Sequence, residues 1–181
     1  MRANDGRCAV IDSSKYVRNV LNFDAAARTV QVEPGMVLDH LNAFLKPHGL
    51  WFPVDVSTSA QATLGGMAGN NSCGSRSIAY GNMVHNVLGV EAWLADGSVA
   101  NFGDHSQATG RAKQIGDLAQ SLATKHRSEI ERVWPTVMRR VGGYNLDIFC
   151  NQSERPYTAD GSVNLSHLLV ALKARWPSPS R

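Results

Sequence analysis

The stretch Ser57-Thr-Ser-Ala-Gln-Ala-Thr63-Leu-Gly65-Gly66-Met-Ala-Gly69-Asn-Asn-Ser-Cys73-Gly74-Ser-Arg76-Ser-Ile-Ala-Tyr80-Gly81 decides how the rest of the chain reads. Glycine recurs, Ser, Thr and Asn fill much of the remainder, and Arg76 is the only charge. Glycine permits positive φ and lets a backbone come close to a ligand. Successive N–H groups in such a loop can form a concavity that holds an anion. The composition therefore reads as a wrapped loop presenting main-chain donors to a phosphorylated or extended cofactor. An ordinary Gly-rich surface turn shares this composition. Arg76 either pairs with a phosphate or is solvated. Cys73 reads as a small buried residue, with a redox role as the alternative.

Upstream, Cys8–Ile11 reads as a short strand. Val20–Phe23 and Thr29–Val32 flank Asp24-Ala-Ala-Ala-Arg28 as a hairpin, ended by Pro34-Gly35. Val37, Leu38, Leu41 and Leu45 have helical spacing. Pro47-His48-Gly49 stops that helix, with Gly49 placed as a C-terminal cap. His40 and His48 read as helix-end side chains rather than catalytic ones. Leu50-Trp51-Phe52-Pro53 leads into the loop as an apolar wall.

Downstream, Val87–Leu94 predicts a strand that Asp96-Gly97 turns into Ser98–Phe102. Asp104–Thr109 is a polar linker. Ile115, Leu118, Ala119 and Leu122 mark an amphipathic helix. Ser128 and Glu131 form a capping-box pair for a second helix with Ile130, Val133 and Trp134 inside, ended by Pro135. Val141–Leu146 is a Gly-rich corner and Asn151–Ser162 a polar loop. Leu165, Leu168, Leu169 and Leu172 start a last helix.

The 181 residues are 43% hydrophobic and 18% charged, ordinary for a globular protein of one or two small domains. A net charge of +3 without a long basic run gives no case for nucleic acid. Cysteines at 8, 73 and 150 fit neither a metal spacing nor an even disulfide framework, so free thiols in a reducing, cytoplasmic compartment are expected. The first residues lack the apolar core of a secretory signal, and no apolar run reaches the roughly 20 residues of a membrane span.

Several segments in order resemble one family: Val30-Gln-Val-Glu-Pro-Gly35, Pro47-His-Gly-Leu50, Pro53-Val-Asp-Val-Ser57, Ala62-Thr-Leu-Gly-Gly-Met67, Asn70-Asn-Ser-Cys-Gly74, Tyr80-Gly81, Val87–Gly97, Gly143-Tyr-Asn-Leu-Asp147 and Asn164–Val170. The chain resembles the FAD-linked oxidases with a PCMH-type, vanillyl-alcohol-oxidase-like domain. Its nearest branch by this resemblance is bacterial D-lactate dehydrogenase and the glycolate oxidase flavin subunit. The resemblance implies an α+β fold, mainly antiparallel sheet with packed helices, and noncovalent FAD. It implies oxidation of a small 2-hydroxy acid. Pro53, Asp55 and Ser57 match positions at the flavin edge. Thr63, Gly65 and Gly66 match the segment along the isoalloxazine and diphosphate. Ala68, Asn70, Asn71, Gly74 and Ser75 match a cofactor-wrapping turn closed by Tyr80 and Gly81. Val87 matches the strand near the adenine.

Three departures from the family carry expectations. The chain is expected to start after the family's N-terminal subdomain, so residues 1–170 form a partial FAD-binding domain. After Val170 the family continues Gly-Ser-Glu-Gly-Thr-Leu-Ala, whereas here Ala171-Leu-Lys-Ala-Arg-Trp-Pro177 follows. Loss of one base from codons for the family sequence gives these residues, so 171–181 reads as a frameshifted tail. The substrate cap domain, with its cationic and His-rich metal motifs, has no counterpart, and no catalytic or metal-binding residue is assigned. The chain alone is expected to bind FAD weakly or not at all and to be inactive unless an N-terminal or cap piece is supplied. The alternatives are a non-catalytic remnant or split-subunit interaction module, and a nucleotide-binding module without redox chemistry.

Overall fold

The computed structural model describes residues 12–150 and 157–172. The chain forms two compact units. One runs to Phe52 and resumes over Ser57–Gly66; the other comprises Pro53–Val56 and the chain from Met67 onward.

In the first unit, β1 (Val20–Asp24) and β2 (Thr29–Val32) pair antiparallel as the alternation predicts. Asp24 Oδ1 accepts from the amides of Ala26 and Ala27, both at 2.9 Å, and Arg28 closes the turn at φ 54°. Helix α1 (Leu38–Leu45) buries Leu38, Leu41 and Leu45, the stripe read from the sequence. A 3-10 turn, Lys46–His48, ends at Gly49, whose φ of 69° is the left-handed cap expected there. His48 stacks 4.7 Å from the Phe23 ring, and Phe44 meets Phe23 edge-on at 5.4 Å. Trp51, expected in an apolar wall, is 40% exposed.

In the second unit, β3 (Val90–Trp93) and β4 (Val99–Phe102) form an antiparallel hairpin. Gly97 supplies the turn at φ 81°, and Asp96 Oδ1 accepts from the amide and hydroxyl of Ser98. The strand is shorter than the apolar run predicts. The Val87 and Leu88 carbonyls accept from Asn164 Nδ2 at 3.2 and 2.9 Å.

The Gly-rich stretch contains more helix than a wrapped loop would. Helices α2 (Leu64–Gly69) and α3 (Ser77–Tyr80) lie within it, and α4 (Met83–Asn86) follows. Leu64 and Met67 each bury an anchoring side chain, so packing overrides glycine's poor helix propensity.

Helix α5 (Gly110–Lys125) turns differently from its leucine pattern. It buries Ala112, Gly116, Ala119 and Ala123, while Leu118 and Leu122 are exposed. Close approach explains this: a Cβ on Gly116 would stand 2.8 Å from Leu165 Cδ1. Helix α6 (Arg127–Val133) encloses Ser128, so the expected capping box does not form; Glu131 instead pairs with Arg127 at 3.0 Å. Ile130 is buried as predicted, but Val133 is exposed. The expected last helix is only a 3-10 turn, Leu165–Leu168, beyond which Ala171 takes φ 72°. Ala100, Phe102, Ala112, Ala119, Ile148, Leu165 and Leu168 form a core of the second unit. The predicted strand at Cys8–Ile11, residues 151–156 of the polar loop and residues 173–181 of the tail lie outside the described residues.

Candidate cofactor site

In the first unit, Ser57 lies in an exposed turn. Thr63 bridges Val37, and its Oγ1 accepts from the Gly66 amide at 3.3 Å. Gly65 donates to Pro34 O at 2.8 Å, and a Cβ on it would meet Pro34 Cβ at 2.7 Å. Leu64 donates to Met36 O. The amides of Gly65 and Gly66, two of the residues expected along the diphosphate, thus have internal acceptors. Smallness at Gly65 is explained by Pro34. At Gly66 a Cβ would meet only Thr63 Oγ1, at 3.1 Å.

In the second unit, Asp55 ties the segment around Val54 to the turn at Gly74–Arg76. Its Oδ2 accepts from Ser75 Oγ at 2.8 Å, its Oδ1 accepts from the Arg76 amide at 3.1 Å, and Arg76 Nε lies 3.8 Å from Oδ2. Burial pushes the Asp55 carboxyl up, but these hydrogen bonds and the Arg76 charge together hold it below the usual carboxylate range. Gly74 passes so close that a Cβ would fall 1.5 Å from Asp55 O. Pro53 stands at a half-buried bend before this tie.

Ala68 O accepts from the amides of Asn71 and Ala171. Asn71 is buried at φ 42°. Its Nδ2 donates to Arg140 O, and its Oδ1 accepts from the Val84 amide. Asn70 O accepts from Arg139 Nη2 at 3.0 Å. Cys73 is half-buried. Tyr80 is exposed, and its carbonyl accepts from Asn86 Nδ2. Gly81 takes φ 83° beside the His85 ring. Pro53, Asp55, Gly74 and Ser75 therefore form one neighbourhood, and Ala68, Asn70 and Asn71 another. Val87 O belongs with Asn164 and Ser166.

Three residues that the sequence reading did not select hold these segments. Asn82 is 1% exposed, caps α4 and donates from Nδ2 to Met138 O. Asn-x-x-His, a capping pattern, was its signal. Asn145 Nδ2 donates to His167 O and Val170 O. Arg139 clasps Asn70 and Asn71. Gly69 has nothing within 4 Å of where a Cβ would stand.

A family model described as an FAD binding domain matches residues 3–103. The chain belongs to the FAD binding domain family. This confirms the PCMH-type resemblance, the mixed helix and antiparallel sheet, and FAD as the cofactor. The chain is 30% identical over 172 residues to D-2-hydroxyglutarate dehydrogenase of Haemophilus influenzae, covering 89% of this chain and 16% of that protein. It is 34% identical over 147 residues to the enzyme of that name from Pantoea ananatis, covering 76% of this chain and 14% of that protein. Over 99 residues it is 44% identical to a probable mitochondrial D-lactate dehydrogenase of Danio rerio, covering 55% of this chain and 19% of that protein. This FAD binding domain thus spans less than a fifth of each of these relatives.

The glycines test the fit to FAD. Gly65, Gly74 and Gly81 are small because this chain's own atoms crowd them. At Gly66 a Cβ would press on Thr63 Oγ1 at 3.1 Å, whereas nothing stands within 4 Å of one at Gly69. Bare backbone there suits a flat ligand at close range, so the residues present fit FAD. Among the described residues, no helix is long and apolar enough to cross a membrane, and no group of His, Cys, Asp or Glu is placed to hold a metal ion.

Proposed function

We propose that this chain is the FAD-binding portion of an oxidoreductase that oxidises a small 2-hydroxy acid of the D-lactate or glycolate kind. FAD is held noncovalently by Pro53, Asp55, Ser57, Thr63, Gly65, Gly66, Ala68, Asn70, Asn71, Gly74, Ser75, Tyr80, Gly81 and Val87. The uncrowded backbone at Gly69 carries this reading. The names of the relatives support the substrate class. When bound, FAD supplies a two-electron acceptor. The chain contributes shape and loop rigidity: the Asp55 carboxylate organises the turn at Gly74–Arg76, and Asn71 fixes the turn after α2. Substrate contacts belong to the remainder of an enzyme of this length class, so the chain alone turns over no substrate. Free Cys73 and Cys150 support a reducing, cytoplasmic location.

Residues 171–181 are a departure from the family sequence caused by a frameshift. Ala171 supports this reading, because φ 72° is a glycine conformation carried here by alanine. Resequencing that finds no longer frame in any register removes the frameshift.

The visible spectrum of the purified chain, followed by FAD titration with flavin fluorescence, tests the cofactor reading. Flavin absorption peaks or saturable quenching at micromolar FAD are expected. A colourless chain indifferent to FAD overturns it. A second reading, a module that completes its site with a separate polypeptide, is favoured by the exposed Leu88, Trp93 and Val99. Restoration of FAD binding by an added N-terminal piece would select it.

A further inference from the structure

Helix α2 ends at Gly69, and the chain reverses through Asn70 and Asn71. Carbonyls just beyond a helix end need donors, and a cation there is favoured by the helix dipole. The donor comes from far along the chain. Arg139 Nε donates to Asn71 O at 2.8 Å and Nη2 donates to Asn70 O at 3.0 Å. Its neighbours join in: Arg140 O accepts from Asn71 Nδ2 and Met138 O accepts from Asn82 Nδ2, both at 2.9 Å. Arg139 and Arg140 thus each spend a group on this segment, and Met138 spends one on Asn82 at the start of α4.

Asn71 is satisfied at every polar atom. Its amide donates to Ala68 O, its carbonyl accepts from Arg139, its Nδ2 donates to Arg140 O, and its Oδ1 accepts from the Val84 amide. It is 4% exposed and held at φ 42°. A non-glycine residue keeps such a conformation when its surroundings over-determine it. The guanidinium makes the only charge-assisted contacts in this set, and these are stronger than neutral hydrogen bonds.

We propose that Arg139 is a positioning residue for FAD: by bracketing the Asn70 and Asn71 carbonyls it sets the turn that aims residues 70–75 at the cofactor. The proposal rests on the FAD-binding reading and assigns a role to a residue outside the stretch matched by the family, 3–103.

The test uses the full chain as wild type, Arg139→Ala and Arg139→Lys. Two readouts are taken: FAD affinity by fluorescence titration, and hydrogen exchange of the amides of residues 70–75 without FAD. Arg139→Ala is expected to weaken FAD about tenfold or more. Exchange should accelerate at 70–75 and stay unchanged in α5. Lysine keeps the charge without the fork, so Arg139→Lys should fall between. Added guanidinium ion at low millimolar concentration should recover part of the affinity of Arg139→Ala, a rescue that general destabilisation would not permit. FAD affinity within twofold of wild type, or unchanged exchange at 70–75, overturns the proposal. If Arg139→Ala does not fold, Arg139→Lys decides by the same readouts. Wild type that ignores FAD overturns the cofactor reading instead; the exchange data then still decide whether Arg139 sets the turn.

Discussion

Ala171 is buried at φ 72°, with its amide donating to Ala68 O. An L-residue with a Cβ is strained there by roughly 1–2 kcal/mol, a cost glycine avoids. Ala171→Gly is therefore expected to raise stability by about 1 kcal/mol net of glycine's extra chain entropy, read from denaturant midpoints at constant slope. His167 makes the opposite kind of residue-scale demand. Burial lowers its pKa to about 4, and the facing His85 adds to the effect. Tyr157 covers it at 5.4 Å. The folded state therefore keeps the imidazole neutral while the unfolded chain takes up a proton below about pH 6.5. Stability from this group is complete above that pH and is lost as pH falls toward about 4, with a slope approaching 1.4 kcal/mol per pH unit. Asp147 opposes it: burial pushes this carboxyl up despite Arg140, so the folded state gains on protonating it. Comparing His167→Gln with wild type across this range isolates the histidine. Equal acid sensitivity in the two proteins would show that His167 does not carry it.

At the scale of elements, the crossing of the Asp55 segment over Gly74 is the tightest constraint in the second unit. A methyl at Gly74 would meet backbone rather than a flexible side chain. Gly74→Ala is expected to cost about 1–3 kcal/mol and to weaken FAD, as the Ser75 and Arg76 bonds to Asp55 separate. Thermal melts and FAD titration of the variant check both. Both hairpins, α1 and its glycine cap were legible because alternation, helical spacing and turn residues act locally. The inner face of α5 was not. Leucine spacing pointed to Leu118 and Leu122, but the approach of Leu165 selects Ala and Gly. The Gly-rich stretch was recognised as the cofactor segment, yet its helices depend on distant anchors. Arg139 was invisible for the same reason: its partners lie 68 and 69 residues away.

At the scale of the molecule, a shared cofactor segment sits in a chain that covers 16% of its Haemophilus influenzae relative. The hairpin of the second unit buries Ala100 and Phe102 on one face and exposes Trp93 and Val99 on the other. The outward pair suits a covering partner better than water. The threading of the units has another consequence. The first unit needs Ser57–Gly66, while Pro53–Val56, just before it, belongs to the second. A cleavage after Gly66 would release the whole first unit only with Pro53–Val56 of the second still attached. During synthesis, the first unit can be completed only once Gly66 has left the ribosome. Val54, 0% exposed in the finished fold, must then wait for the chain beyond Met67. A pause in translation within that interval would leave its apolar side chain accessible to chaperones.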